Sequence, residues 1–111
     1  FSILVGNRDD HLRNHGFLRE PGGWVLSPAF DLNPSPDKGH HALAIDEADP
    51  SPRVSLLRST RDLYRLTDAE ALQVESEVRA AVAGWAGVAQ QLRISLAERR
   101  DLGGVIDPER E

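Results

Sequence analysis

Six of the seven prolines in this 111-residue chain (Pro21, Pro28, Pro34, Pro36, Pro50 and Pro52) fall between residues 21 and 52, and the seventh is Pro108. Proline fixes φ and has no amide hydrogen, so it breaks helix interiors and interrupts sheet ladders. The first half is therefore expected to hold loops and short strands, leaving the stretch beyond residue 53 free to be helical. The length is that of one domain. The chain has no cysteine, which removes disulfides, thiolate metal sites and cysteine nucleophiles together. Its 13 basic and 18 acidic residues give a net charge of −5, spread over both halves. Such a surface is poorly suited to wrapping nucleic acid, so direct nucleic-acid binding is not expected. No apolar run approaches the roughly 20 residues of a membrane-spanning helix, so no membrane partner is expected either. There is also no methionine, and the chain opens on Phe1 inside an apolar segment. That is the pattern expected of a piece cut from a longer protein.

Residues 1–5 are apolar and stop at the turn signal Gly6-Asn7. Gly16-Phe17-Leu18 and Trp24-Val25-Leu26 flank Pro21-Gly22-Gly23, which predicts a β-hairpin. His41-Ala42-Leu43-Ala44-Ile45 reads as one more short strand, with loops over 33–40 and 46–52. From residue 53 the hydrophobic period becomes helical. Val54, Leu57, Arg61 and Tyr64 predict a short amphipathic helix. Thr67 and Glu70 form a capping box that opens a longer helix. Ala71, Val74, Val78, Ala81, Trp85, Val88 and Leu92 make its core stripe, with Gly84 and Gly87 as weak points. A last helix starts at Ser95 or Ala97 and stops at Gly103-Gly104. Arg58, Arg61 and Arg65 read as a solvated face. The fold class is thus mainly α with a small β-hairpin (α+β). Residues 1–52 carry the functional loops and 53–111 a helical scaffold whose longest helix lies within 67–92.

The chemistry concentrates in Asn7-Arg8-Asp9-Asp10-His11-Leu12-Arg13-Asn14, followed by Asp31 in Phe30-Asp31-Leu32. Asp9 and Asn14 show the Asp-x-x-x-x-Asn spacing of a protein-kinase catalytic loop, and a hairpin leads to the second aspartate. In that chemistry one carboxylate takes the proton of the attacking hydroxyl, and oxygen ligands hold the magnesium that bridges the phosphates. Taken alone, Asp9 and Asp10 also read as turn or helix caps, and Asp31 as a turn aspartate before Asn33-Pro34. His11 and His15 have the spacing of two zinc ligands, with His40 and His41 as further candidates, but no glutamate stands between them and Gly16 disfavours a helix. Ordinary loop histidines are the better reading.

The whole arrangement is more specific than its parts. Ile3–Pro34, with Gly6-Asn7-x-Asp9-x-His11-x-x-Asn14 and then Leu26-Ser27-Pro28-Ala29-Phe30-Asp31-Leu32-Asn33-Pro34, resembles the HipA-like serine/threonine kinase toxins of bacterial type II toxin–antitoxin modules. The likeness continues more loosely to Leu92. It implies a partial C-lobe of a HipA/protein-kinase-like fold, with Asp9 as the catalytic aspartate, Asn14 and Asp31 as metal and nucleotide contacts, and His11 ordering the loop. It assigns Asp10 no role. It further implies ATP and Mg2+ as co-substrate and cofactor, a cytoplasmic location, a protein substrate such as an aminoacyl-tRNA synthetase, and a DNA-binding antitoxin as partner. The sole lysine, Lys38, follows the catalytic loop, whereas a kinase's ATP-pairing lysine precedes it. The nucleotide-clamping lobe is accordingly expected upstream of Phe1. The isolated chain should then transfer no phosphate, and it should self-associate through apolar surface around Phe1–Val5 and the hairpin. The competing readings are a metal-dependent phosphohydrolase built on Asp9, Asp10, His11 and Asp31, and a non-catalytic interaction module.

Overall fold

The computed structural model describes residues 1–36, Ile45, Asp49 and 51–111. Its elements are α1 (Ser2–Val5), a 3-10 turn (Leu12–Asn14), β1 (Phe17–Glu20), β2 (Gly23–Leu26), α2 (Val54–Ser59), a second 3-10 turn (Arg61–Tyr64), α3 (Asp68–Ala83), α4 (Trp85–Gln91) and α5 (Leu96–Gly103). This is the expected α+β composition, helices with one antiparallel hairpin. β1 and β2 pair Phe17 with Leu26 and Glu20 with Gly23 around Pro21-Gly22. Of the strand expected over 41–45 only Ile45 is among the described residues, where it packs against the core. Among those residues no helix is long and apolar enough to cross a membrane.

The core is organised around α1. Prolines begin only at residue 21, and the apolar run before them forms one helical turn instead of the loop or strand expected there. Ile3, Leu4 and Val5 are buried together with Val54 and Val82, with Leu57, Val78 and Ile106 packed around them. A helix this short satisfies almost none of its own backbone groups. Gly6 closes it with φ 67° and ψ 32°. The Gly6 amide donates to the Ile3 carbonyl at 3.3 Å and the Asn7 amide to Ser2 at 2.9 Å, the paired bonds of a Schellman cap. The other carbonyl bonds come from the far end of the chain. The Asp107 amide donates to Leu4 O at 2.8 Å. Arg110 Nη1 donates to Ile3 O at 2.7 Å and Nη2 to Val105 O at 2.8 Å.

The capping box at Thr67 forms as expected: the Glu70 amide donates to Thr67 Oγ1 and the Thr67 amide to Glu70 Oε2. An equivalent box at Ser95 and Glu98 opens α5, which ends at Gly103. The long helix does not run through to residue 92. It ends at Ala83, and α4 restarts at Trp85 after Gly84. The core stripe also differs from the expected one. Val82 is 4% exposed and Ala89 is equally buried, whereas Val74 is 50% exposed and Ala81, Val88 and Leu92 also face outward. The inward face runs Ala71, Glu75, Val78, Val82, Trp85 and Ala89. Both stripes alternate steps of three and four and share Ala71, Val78 and Trp85; they differ in phase between these anchors, where Glu75, Val82 and Ala89 turn inward in place of Val74, Ala81 and Val88.

Glu75 on that face changes the reading of the arginines. Arg58 is partly solvated but also paired: its Nε and Nη2 fork onto both Glu75 oxygens at 2.9–3.1 Å, tying α2 to α3. Arg79 Nε joins the same carboxylate at 2.8 Å, and its Nη atoms donate to the carbonyls of Pro108 and Arg110. Arg61 pairs with Asp68. Apolar surface is distributed differently from expectation too. Ile3–Val5 are inside, whereas Phe17, Leu18, Trp24, Val25 and Leu26 of the hairpin are exposed.

Three outcomes follow from this packing. A Cβ on Gly6 would sit 3.0 Å from the Val105 carbonyl oxygen at a left-handed φ. Gly6→Ala should therefore cost about 1–3 kcal/mol in urea unfolding. Val82→Ala should cost about 2 kcal/mol, and Val74→Ala well under half of that, in the same assay. Burial pushes the Glu75 carboxyl up, but hydrogen bonds from Arg79 and Arg58 outweigh it and hold the pKa below its ordinary 4.5. A depressed folded pKa contributes stability above the unfolded value, lost as pH falls through the folded one. The stability gap between wild type and Glu75→Gln should accordingly shrink as pH drops from 6 to below 4.5, and a gap independent of pH would contradict this.

Candidate functional site

The loop that leaves α1 is shaped by its own polar side chains. Asn7 is 1% exposed, and its Oδ1 accepts the Asp9 amide at 3.2 Å, an Asx turn that sets where Asp9 emerges. Ser2 Oγ donates to Asp10 Oδ2 at 3.0 Å, and His15 Nε2 lies 2.8 Å from Asp10 Oδ1. Asp10 thus pins the loop to the start of α1 and closes it at His15. Between these ties the His11 carbonyl accepts the Asn14 amide at 2.8 Å and opens the 3-10 turn. That turn buries Asn14 and aims its Nδ2 at the Asp9 carbonyl, 3.2 Å away. With Nδ2 so engaged, Oδ1 is the end of Asn14 that can ligate a hard cation. The Asp9 side chain is exposed.

Asp31 stands on a second loop, after the hairpin. Its φ of 57° is left-handed, a conformation that aspartate tolerates better than most residues. Asn33 Nδ2 donates to its Oδ1 at 2.7 Å, and the residue is exposed. The two loops are joined at Ser35. Its amide donates to the Gly6 carbonyl at 3.0 Å, and its Oγ accepts the Arg8 amide at 3.2 Å. The structure therefore brings Asp9 and Asn14 together on one loop and ties the segment that follows Asp31 to the start of that loop through Ser35.

His11 is half-buried, and its Nδ1 is closed off from solvent with no hydrogen-bond partner among the described residues; the same is true of Asn7 Nδ2. The zinc reading gains nothing from the geometry. His15 engages Asp10, and among the described residues no three His, Cys, Asp or Glu side chains gather as a metal cluster. His40 and His41 lie outside the described residues, as does Lys38.

Sequence reasoning missed Asn7, Asp10, His15 and Ser35. Asn7 carried a signal, an Asx residue two positions before Asp9. Asp10 and His15 carried none, because five residues apart corresponds to no regular period. Ser35 bonds to backbone groups 27 or more positions away, which no local pattern reveals.

Residues 1–91 match the HipA-like C-terminal domain, and the chain belongs to that family. No curated protein and no solved structure matched it. A check on the loop geometry follows. Asp10→Ala should release His15 and raise its side-chain mobility in NMR relaxation, with the α1 core still protected from hydrogen exchange. Unchanged His15 dynamics would mean that the pair does not close the loop.

Proposed function

We propose that this chain is the catalytic-loop portion of an ATP- and magnesium-dependent serine/threonine protein kinase of the HipA-like type, a toxin restrained by a DNA-binding antitoxin. The observation that supports it most is the bond from Asn14 Nδ2 to the Asp9 carbonyl. It ties the two residues of the Asp-x-x-x-x-Asn spacing to each other and engages the amide nitrogen of Asn14, leaving its oxygen as the atom that could ligate a cation. In this reading the Asp9 carboxylate orients the acceptor hydroxyl and takes its proton as the bond to phosphorus forms. Asn14 and Asp31 are the residues that would hold magnesium, which would supply charge neutralisation for the transferred phosphoryl group. Two protein oxygens suit magnesium that nucleotide phosphates complete, and suit less well a hydrolase that must hold its metals by side chains alone. The nucleotide-clamping lobe and the protein substrate, such as an aminoacyl-tRNA synthetase, lie outside this chain.

The test is phosphate transfer from radiolabelled Mg-ATP by the full-length protein. Asp9→Ala should lower turnover by about 10²–10⁴-fold, the usual contribution of a positioned proton acceptor. Asn14→Ala and Asp31→Ala should raise the magnesium needed for half-maximal rate. The 111-residue chain alone should transfer nothing and bind Mg-ATP weakly in calorimetry. Near-normal transfer by Asp9→Ala would overturn the assignment.

A further inference from the structure

The two loops of the candidate site belong to segments separated by the whole hairpin, and the hairpin is too exposed to fix their spacing. β1 and β2 bury nothing large: Phe17, Leu18, Trp24, Val25 and Leu26 all face solvent. A two-stranded ribbon of this kind is marginal by itself. Beyond the hairpin base, where the Ser27 amide donates to Gly16 O, the two loops are bonded to each other among the described residues at Ser35. Its amide reaches Gly6 O, the residue that ends α1, and its hydroxyl takes the Arg8 amide, one position before Asp9. Four positions earlier in the chain is Asp31, whose carboxylate is held by Asn33. Pro34 and Pro36 flank Ser35. Pro36 disfavours the helical region for Ser35 and Pro34 has a fixed φ, so the clamp enters both bonds from a narrowed set of backbone conformations.

We infer that Ser35 is a positioning residue that fixes the Asp31 loop against the Asp9–Asn14 loop and so sets the geometry in which both meet magnesium. This rests on the kinase reading for its catalytic meaning, but the clamp itself is a property of the fold that can be measured separately. Ser35→Ala removes the acceptor for Arg8 and keeps the amide bond to Gly6, so the core remains intact. Ser35→Thr restores the hydroxyl.

The experiment uses the full-length protein and two readouts on wild type, Ser35→Ala and Ser35→Thr. The first is hydrogen exchange at the amide of Arg8, the group that Ser35 Oγ accepts. Loss of one hydrogen bond should speed exchange by about five- to tenfold in Ser35→Ala, with α1 and α3 unchanged and Ser35→Thr near wild type. The second is phosphate transfer as a function of magnesium. Ser35→Ala should raise the half-saturating magnesium about fivefold while kcat at saturating magnesium stays within about twofold, again rescued by threonine. Unchanged exchange at Arg8 in Ser35→Ala would overturn the clamp. Exchange that rises across α1 and α3 as well would reduce Ser35 to a general fold residue and overturn it too. If exchange responds as expected but the wild-type protein transfers no phosphate, the clamp stands and the kinase reading falls.

Discussion

A single helical turn with nearly all of its backbone groups unpaired is the constraint on which this fold depends. α1 puts Ile3, Leu4 and Val5 at the centre of the core, where an unsatisfied carbonyl costs roughly 1–3 kcal/mol. Three solutions meet at that point. Gly6 turns the chain back so that two amides close the end of the helix. Asp107 and Arg110 return from 100 or more positions away to take the Leu4 and Ile3 carbonyls. Arg79 on α3 in turn holds the backbone of that returning segment at Pro108 and Arg110. Because Arg79 shares Glu75 with Arg58, the same network also fixes α2. A buried backbone requirement has become the organising link between the two ends of the chain.

The candidate site inherits its order from this arrangement. Gly6 is both the cap of α1 and the start of the loop that carries Asp9, so wherever the helix ends, the site begins. Asp10 ties back to Ser2, the first residue of the helix, and Ser35 ties to Gly6, its cap. The polar loops are thus referenced to the most deeply buried element of the molecule. This gives exposed side chains such as Asp9 and Asp31 a fixed origin without burying them.

Much of this was legible in the sequence where local rules decide. The hairpin, the capping box at Thr67, the start of α5 at Ser95 and the shift to helical period near residue 53 each rest on interactions within a few residues, and each stands where expected. The spacing of Asp9 and Asn14 was legible too, and the structure draws these two residues together. What escaped depends on distance or on a competition between near equals. α1 is too short for any period to declare it a helix. The choice between Ala81 and Val82, or between Val88 and Ala89, turns on the phase that tertiary packing imposes, which buries the larger residue of the first pair and the smaller of the second. Arg58 looks like any surface arginine until Glu75 is seen on the inner face of α3. Ser35 and Arg110 act over separations at which sequence carries no pattern.

The match to the HipA-like C-terminal domain stops at residue 91, yet the carbonyls of α1 are met by residues 105–110. Homology and physical closure therefore mark different boundaries. A piece trimmed to the edge of the shared family region would keep every residue of the candidate site and lose the groups that satisfy Ile3 and Leu4 from outside the helix. Its loops would then hang from a helix with unpaired carbonyls inside an opened core. The groups that close α1 thus extend past the matched region, to Asp107 and Arg110.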